Sequence, residues 1–417
     1  MRQTTPHTSH RLGGHGNVFN FGVDIVKRLW WVLLLLPGLL SAGEWSGFIE
    51  LQGRHFPQQA LDGDQSDQLL SIAIQPEYYQ RWDNGRQSLL FIPFMRWDGE
   101  DDERTHGDIR ELVWTYAGDG WETKAGIGKV FWGVTEALHL VDVINQTDLI
   151  ENPDGEQKLG QPMLKLSLER DWGIIDLYAL PGFRERTYPG EEGRLRTHPR
   201  VDTDQVEYQS DREERHIDLA LRWSHFIGDW DIGLAHFDGT SRDPLLLPAV
   251  SDSGEVLLTP FYQQMRQTSL DLQATKGDWL WKLEAIHRSS DSDSYNAATG
   301  GFEYTLVGIA ESDMDLGLLV EYLYDDRQDD ATTPFENDLF IGMRLTANDV
   351  DGSELLAGVI KDLDDDGWMF NLEASRRIGN LWKTSLQTRL WSDIPEQDPL
   401  FVFHRDDYLE FTVTRFF

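Results

Sequence analysis

The sequence predicts an all-β fold: a single transmembrane, antiparallel, up-and-down β-barrel of about 18 strands, with about 16 strands as the alternative. Three observations carry this prediction. Short segments after residue 43 alternate apolar and polar side chains, the connections between these segments alternate in length, and the last segment ends on an aromatic residue.

The composition is compatible with a barrel that spans an outer membrane. The chain has 417 residues, is 40% hydrophobic, and contains 16 Trp, 12 Tyr and 20 Phe. Strands that alternate between lipid and lumen are polar on average, and aromatic rings accumulate at the two membrane surfaces. The chain has 0 Cys, which excludes disulfides, thiolate metal sites and a lipid-modified cysteine. Its formal net charge of -35 argues against nucleic acid as a partner.

The N-terminal region has the features of an export signal. Lys27 and Arg28 precede an apolar run at 29–40, and small residues follow that run directly. Positive, apolar and small residues in this order are typical of a secretory signal peptide. We therefore expect a leader and cleaved signal peptide over residues 1–43, and an outer-membrane β-barrel over residues 44–417.

The alternation within the segments predicts which side chains face a lumen. In one segment Ile217, Leu219 and Leu221 share a face, and Asp218 and Arg222 share the other. The same parity in other segments predicts a polar interior suited to water and hydrophilic solutes. The charged residues placed in the lumen are Asp218, Arg222, Glu284, Arg288, Glu321, Arg344 and Glu373, together with Lys165, Lys282 and Arg377.

The connections between segments alternate between tight turns and long polar stretches. Turns are predicted at 83–85, 118–120, 228–229, 277–278 and 378–380. Longer stretches are predicted at 56–66, 134–160, 184–212, 239–258, 289–300, 325–334 and 392–405. Bacterial barrels carry short turns at the periplasmic end and long loops at the outer end, whereas a soluble sandwich has no reason to keep that parity.

The C-terminal segment has one apolar face that includes Phe411, Val413 and the terminal Phe417. This segment resembles the C-terminal strand signal that bacterial barrel proteins present to their outer-membrane assembly machinery. The resemblance implies that this machinery is a partner.

The third long connection, at 134–160, is the expected constriction. In the porin superfamily, which the chain resembles in overall layout, the third surface loop commonly folds into the barrel. An apolar stretch between Leu138 and Ile144 suits such a fold. The alternative is an outer lid packed over the barrel mouth. The loop is acidic, which predicts a preference for cations; its candidate constriction residues are Glu136, Asp142, Asp148 and Glu151.

The fourth long connection is rich in arginine. Arg184 and Arg186 are its first two arginines, and both are candidate constriction residues. If they point inward, they face the acidic third loop and create a transverse field across the lumen. The alternative is a solvated loop whose arginines pair with Glu185, Glu191 and Glu192 of the same loop.

A more local resemblance rests on the Trp132–Gly133 step and the Asp142–Asn145 segment. These features, with the segment around Trp172, resemble a poorly characterised group of proteobacterial outer-membrane proteins. The resemblance covers about a tenth of the chain. It implies a porin-like barrel without naming a substrate.

An acidic segment matches the calcium-loop pattern through Asp362, Asp364 and Asp366, with Gly367 and Glu373. The flanking residues are predicted to be strands, so Glu373 cannot fold back to close a helix–loop–helix site. Looser capture of peripheral calcium or magnesium at the outer rim remains open, as does a plain acidic hairpin tip. No other cofactor is expected.

The sequence favours a channel over an enzyme. It has no GxSxG, HExxH or phosphate-loop motif, and its 12 His are scattered. His225, His236 and His287 are candidates for an outer-wall hydrolase, but no serine is predicted beside them.

The predicted function is a porin-like channel for passive diffusion of small hydrophilic solutes with a cation preference, in contact with outer-membrane lipids and lipopolysaccharide. The alternative is a non-conducting structural or surface-interaction barrel whose loops plug the lumen. The oligomeric state stays open.

Overall fold

The computed structural model describes residues 43–251 and 253–417. The signal-peptide prediction therefore falls outside the described residues, except at Gly43. Among the described residues, no helix is long and apolar enough to cross a membrane.

Strands account for most of the described chain. They are β1 (Glu44–His55), β2 (Gln68–Trp82), β3 (Gln87–Asp98), β4 (His106–Ala117), β5 (Trp121–Gly128), β6 (Gln161–Arg170), β7 (Gly173–Pro181), β8 (Glu207–Tyr208), β9 (Ile217–Ile227), β10 (Trp230–Thr240), β11 (Leu245–Val250), β12 (Val256–Tyr262), β13 (Gln264–Lys276), β14 (Trp279–Ser290), β15 (Ser294–Leu306), β16 (Asp315–Asp325), β17 (Asn337–Thr346), β18 (Glu354–Asp362), β19 (Trp368–Ile378), β20 (Trp382–Ser392) and β21 (Tyr408–Phe416). Short 3-10 helices lie at Asp83–Gly85, Glu213–Arg215, Ile309–Glu311, Gln328–Asp330 and Pro399–Phe403.

Within the described residues, eighteen of these strands form one closed antiparallel sheet. The first and last strands close it, since β1 pairs with β21 from Phe48↔Phe416 to His55↔Leu409. The prediction of an up-and-down barrel of about 18 strands is confirmed. The remaining strands β8, β11 and β12 form a small separate sheet.

The longest loops emerge at one end of the barrel, as predicted, and most connections at the other end are short turns. The connections at the long-loop end are named L1 (56–67), L2 (99–105), L3 (129–160), L4 (182–216), L5 (241–263), L6 (291–293), L7 (326–336), L8 (363–367) and L9 (393–407). The exceptions to the alternation are L6 and L8, which are short, and the connections 307–314 and 347–353 at the turn end, which are longer than either. The strand β8 belongs to L4, and the hairpin of β11 and β12 belongs to L5.

One predicted loop is wrong. Residues 289–300 were expected to form a long connection, but L6 has only residues 291–293 and β15 begins at Ser294. The first half of β15 is made of small and polar residues, so its alternation is weak in sequence. Ala298 nevertheless pairs with Ala285 on one side and Tyr324 on the other.

The outer wall of the barrel is apolar and exposed. Leu219, Leu221 and Leu234 each leave about half of their surface uncovered by protein. Aromatic rings cluster near the short turns, where Trp279 lies 5.6 Å from Trp281 and 4.6 Å from Tyr304 between ring centroids. An apolar exterior with an aromatic belt is the surface that a barrel presents to lipid. The fold and this exterior indicate an outer-membrane protein.

The last strand carries its predicted apolar face on this outer wall. The side chains of Phe411 and Phe417 are each 52% exposed, and Val413 lies between them on the same face. A lipid-facing row ending on an aromatic residue is compatible with the predicted assembly signal, which stays a prediction.

Candidate pore and its constriction

L3 leaves β5 and lies against the inner wall of the barrel. The Glu284 carboxylate, on β14, accepts hydrogen bonds from the backbone nitrogens of Val134 (2.7 Å) and Thr135 (3.1 Å). The Glu321 carboxylate, on β16, accepts from the backbone nitrogen of Glu136 at 2.9 Å. Two inward carboxylates therefore satisfy backbone donors of the loop, as buried polar groups require.

The apolar stretch of L3 packs inside the barrel against inward side chains of β7, β9 and β10. Val141, Val143 and Ile144 are all almost completely buried. Their cluster includes Trp132, Tyr178, Leu180, Ala220, Ala235 and Phe237. Burial of this patch stabilises the inward position of the loop in addition to the hydrogen bonds.

The far end of L3 is held by arginines of β3 and β4. Arg96 donates to both carboxylate oxygens of Glu151, at 3.1 Å and 2.8 Å, and Arg110 pairs with Asp148. Burial alone would raise the pKa of Glu151, but the charges of Arg96 and Arg104 outweigh it and hold the pKa at about 2. Glu151 is therefore ionised and already neutralised by its partners.

A histidine braces the middle of L3. The His139 imidazole lies 3.2 Å from Glu156 and 3.6 Å from Glu284. Burial opposes its charge, but hydrogen bonds to these two carboxylates raise the pKa of His139 to about 10. The loop passes close to this ring, because a Cβ at Gly133 would lie only 2.4 Å from His139 Nδ1. The Trp-Gly step therefore has a steric reason for its glycine.

The four predicted constriction acids divide into two pairs. Glu136, paired with Arg344 at 2.6 Å, and Glu151 both line open space in the lumen. Asp148 is fully buried, and Asp142 accepts from the backbone nitrogen of Trp132 at 2.6 Å. The structure therefore makes Asp142 and Asp148 supports of the loop fold, while Glu136 and Glu151 face the lumen space.

The L4 arginines take neither of the two predicted positions. Arg184 donates to Asp108 of β4 at 2.9 Å, and Arg186 donates to Asp243 of L5 at 2.5 Å. Neither pairs with the glutamates of L4 or with an acidic side chain of L3. Both are fixed between loops and wall, because the carboxylates nearest to them in space come from distant segments.

Further along, L4 crosses the barrel mouth. Arg194 donates to Asp406 of L9 at 2.7 Å, and Arg196 donates to Asp62 of L1 at 2.5 Å. Between them, Leu195 is buried in a cluster with Phe56, Leu69, Trp391 and Tyr408. We call residues 190–196 the L4 clasp, since they join L4 to L1 and L9.

Two open spaces flank L3. One, of about 480 Å³, lies between L3 and β1, β3 and β17–β21, and a second of about 480 Å³ lies below it beside β4–β6. Lys129 lines both spaces, so they adjoin at the start of L3. The charged groups that line the two spaces are Glu50, Glu111, Glu136, Glu151, Asp176, Glu354, Glu373, Glu410, Arg96, Arg110, Lys124, Lys129, Lys165, Arg222, Arg344 and Lys383.

The lumen residues predicted from parity are engaged with inward-facing partners. Glu284 and Glu321 hold L3, and Arg344 pairs with Glu136 of that loop. The other contacts are Asp218 with Arg242, Arg222 with Asp271, Arg288 with Asp243, and Glu373 with Gln387. The inner wall therefore carries a network of ion pairs in addition to uncharged polar side chains.

An arginine-rich strip on β1, L2 and β3 was not predicted from the sequence. Arg54 pairs with Glu410 at 2.6 Å, and Arg104 pairs with Asp98 at 2.6 Å, both near the Arg96–Glu151 pair. Strand parity was the available signal, because Gln52 and Arg54 alternate with exposed Leu51 and His55 in β1.

The structure does not gather the predicted metal ligands. Asp364 and Asp366 lie in L8, and Asp362 is the last residue of β18, where it accepts from the backbone nitrogen of Asp364 at 2.8 Å. Among the described residues, the group of carboxylates and imidazoles with ligand atoms within 4.8 Å of one another is His106, Asp148 and Glu151. Arg96 and Arg110 already neutralise that group. Peripheral calcium or magnesium at L8 stays a prediction.

Neither a protein-family model nor a curated protein sequence matches the chain. Solved structures do match. OccK5 (OpdH) of Pseudomonas aeruginosa aligns with a TM-score of 0.53 and 10% identity, over 91% of this chain and 98% of that one. A BenF-like porin of Pseudomonas fluorescens Pf-5 aligns with a TM-score of 0.52 and 10% identity, over 91% of this chain and 99% of that one. OccD3 (OpdP) of P. aeruginosa aligns with a TM-score of 0.52 and 10% identity, over 91% and 92%. The chain therefore shares the fold of outer-membrane porins.

Proposed function

We propose that the protein is an outer-membrane channel for passive diffusion of small hydrophilic solutes, with a preference for cations. The observation that carries the proposal is the pair of adjoining open spaces beside L3, both lined by charged and polar side chains. Such a lining replaces part of the hydration of a polar solute and offers little to an apolar one. The fold that the chain shares with a BenF-like porin supports a channel.

The cation preference must come from a different place than the sequence suggested. The lumen acids of L3 are neutralised, Glu136 by Arg344 and Glu151 by Arg96. The outer loops are not balanced in this way. They carry an acidic rim that includes Asp64, Glu100, Asp102, Glu103, Asp326, Asp364, Asp365 and Asp366. An acidic rim raises the local concentration of cations at the mouth, and salt screens this effect.

Reversal potentials across a salt gradient test this assignment. At about 0.1 M salt the Debye length is roughly 10 Å, and at 1 M it is about 3 Å, so a rim effect should be present at low salt and weak at high salt. The Asp364→Asn, Asp365→Asn, Asp366→Asn variant should lower the preference at low salt. A preference for anions, or a cation preference that persists unchanged at high salt, would contradict the rim assignment.

A second candidate is a barrel whose mouth is closed at rest. The L4 clasp favours it, because Arg194 is fully buried between L1 and L9 and Leu195 is buried beside it. This candidate shares the fold and differs only in whether solutes pass. Single-channel conductance of the folded, inserted protein separates the two.

A further inference from the structure

The first residues of L3 present an aromatic ring to the barrel interior. Phe131 lines the open space beside β4–β6, which we call the lower space, and 57% of its surface is exposed. A single exposed apolar residue is common on protein surfaces. This ring faces the lumen and not the lipid, so contact with the membrane does not account for its exposure.

The backbone on both sides of this ring is fixed by the Asp142–Asn145 segment. The Asn145 side-chain oxygen accepts from the Val130 backbone nitrogen at 2.9 Å, and the Asp142 carboxylate accepts from the Trp132 backbone nitrogen at 2.6 Å. Phe131 lies between these two anchored nitrogens. The two polar residues of the segment therefore hold the ring of Phe131 at a set position in the lumen.

The anchors themselves are buried. Asn145 is only 3% exposed, and its NH₂ group donates to the carbonyls of Gly128 and Leu159, both at 2.9 Å. The ring of Trp132 is buried edge-to-face against Tyr178, with 5.8 Å between the ring centroids. An exposed ring on a fixed support is preorganised for a ligand, because little conformational freedom is lost when a ligand packs against it.

The charged side chains around the lower space balance one another. Lys165 pairs with Asp176 at 3.1 Å, and Arg222 donates to Asp271 of β13 at 2.8 Å. Counted with their partners, four cations and four carboxylates cancel: Lys124, Lys129, Lys165 and Arg222 against Glu111, Glu122, Asp176 and Asp271. A solute ion therefore finds no net charge here, whereas a neutral hydroxyl group finds both donors and acceptors.

The lower space thus combines a flat apolar surface with a rim of hydrogen-bonding groups, to which Ser88 and Thr115 add hydroxyls. A sugar ring has the complementary surfaces, since its C–H groups lie on its faces and its hydroxyl groups lie at its edge. The C–H face packs against an aromatic ring while the hydroxyls bond to the rim. The volume of about 480 Å³ is within the range of small-molecule sites.

We propose that Phe131 is the platform of a binding subsite for a neutral sugar ring in the lumen. The proposal builds on the proposed diffusion function and names the class of solute that the channel takes. Phe131 contacts the sugar, and Asp142 and Asn145 are positioning residues. A linear polyol has hydroxyls but no flat C–H face, and a charged sugar brings a charge that the balanced space does not neutralise. Both should bind more weakly than the neutral ring.

Saturation-transfer NMR of glucose with the detergent-solubilised full chain tests the subsite, and it measures binding whether or not the protein conducts. Saturation should be strongest on the C–H protons of one sugar face. Phe131→Ala should raise the Kd about 2- to 10-fold, the range that an aromatic contact contributes, and Phe131→Tyr should keep the wild-type Kd. Phe48→Ala is the matched control, because Phe48 lines the other open space.

The positioning residues have a readout of their own. Asp142→Ala frees the Trp132 nitrogen and should raise the Kd for glucose. Adding Phe131→Ala to that variant should raise the Kd little further, because the two changes act through the same ring. Independent, additive effects of the two substitutions would show that Asp142 does not act by placing Phe131.

The outcomes separate the subsite from the channel. Equal glucose binding by the wild type and Phe131→Ala, or binding of sorbitol or glucuronate as tight as that of glucose, overturns the sugar subsite and leaves the diffusion channel in place. Folded, inserted protein that binds glucose through Phe131 but carries no single-channel current contradicts the diffusion channel and supports the subsite.

Discussion

Replacing Glu284 with alanine is expected to release L3 from the wall and raise the single-channel conductance. The carboxylate accepts from Val134 and Thr135 backbone nitrogens, from the Thr135 hydroxyl at 2.7 Å and from Val141 nitrogen at 3.1 Å. Each buried donor left without a partner costs about 1–3 kcal/mol. The Thr135 hydroxyl keeps a second acceptor, the Leu138 carbonyl at 2.7 Å, so three backbone donors lose their partner. About 5.5 kcal/mol shifts a two-state equilibrium from 1:99 to 99:1, which lies within the combined cost of three such donors.

Two variants control this experiment. Glu284→Gln keeps an acceptor oxygen and should retain part of the loop position. Glu373→Ala removes a lumen glutamate of β19 that bonds to Gln387 and not to L3, so it should change conductance far less. Conductance and current noise in Glu284→Ala that match the wild type would show that L3 does not limit the pore.

Replacing Arg194 with alanine is expected to open the L4 clasp. The guanidinium is fully buried, pairs with Asp406 and Asp67, and lies 4.3 Å from the Phe56 ring centroid. Removing one partner of a buried ion pair costs about 3–5 kcal/mol, because the other charge is left uncompensated. The variant should admit larger uncharged solutes in a vesicle-swelling assay and expose L4 to protease.

The matched control for the clasp is Arg200→Ala. Arg200 is also an L4 arginine, but its side chain is 32% exposed and it pairs with Glu255 at 3.2 Å on the surface. Such a pair contributes about 0–1 kcal/mol, so its loss should leave swelling and proteolysis near the wild type. Equal behaviour of the two variants would show that the clasp does not close the mouth.

The barrel was predictable from sequence because the pattern that indicates it, the alternation of apolar and polar residues, involves only neighbours in the chain. In β9, Leu219 and Asp218 lie on opposite faces simply because they are neighbours in a strand. The long and short connections could be read in the same way. The error at 289–300 arose where this local signal is weak, since residues such as Ala298 do not distinguish an outer face from an inner one.

The site was only partly predictable, because its partners are distant in sequence. The acidity and the apolar stretch of L3 can be seen in the sequence. The sequence does not show that Asp148 forms a buried ion pair with Arg110, or that Asp142 accepts a hydrogen bond from the backbone nitrogen of Trp132. The clasp is a clearer case, since Arg194 and Asp406 are 212 residues apart. No local pattern identifies the partner of a charge in a loop.

Single-channel conductance of the full chain in a planar bilayer tests the central claim, that water-filled space runs past L3 through the barrel. Folding and insertion are checked first, by resistance of the barrel to protease. Stepwise currents are expected in the wild type, and larger steps are expected in Glu284→Ala. Folded, inserted protein that carries no current in either form would contradict a diffusion channel and leave a plugged, structural barrel.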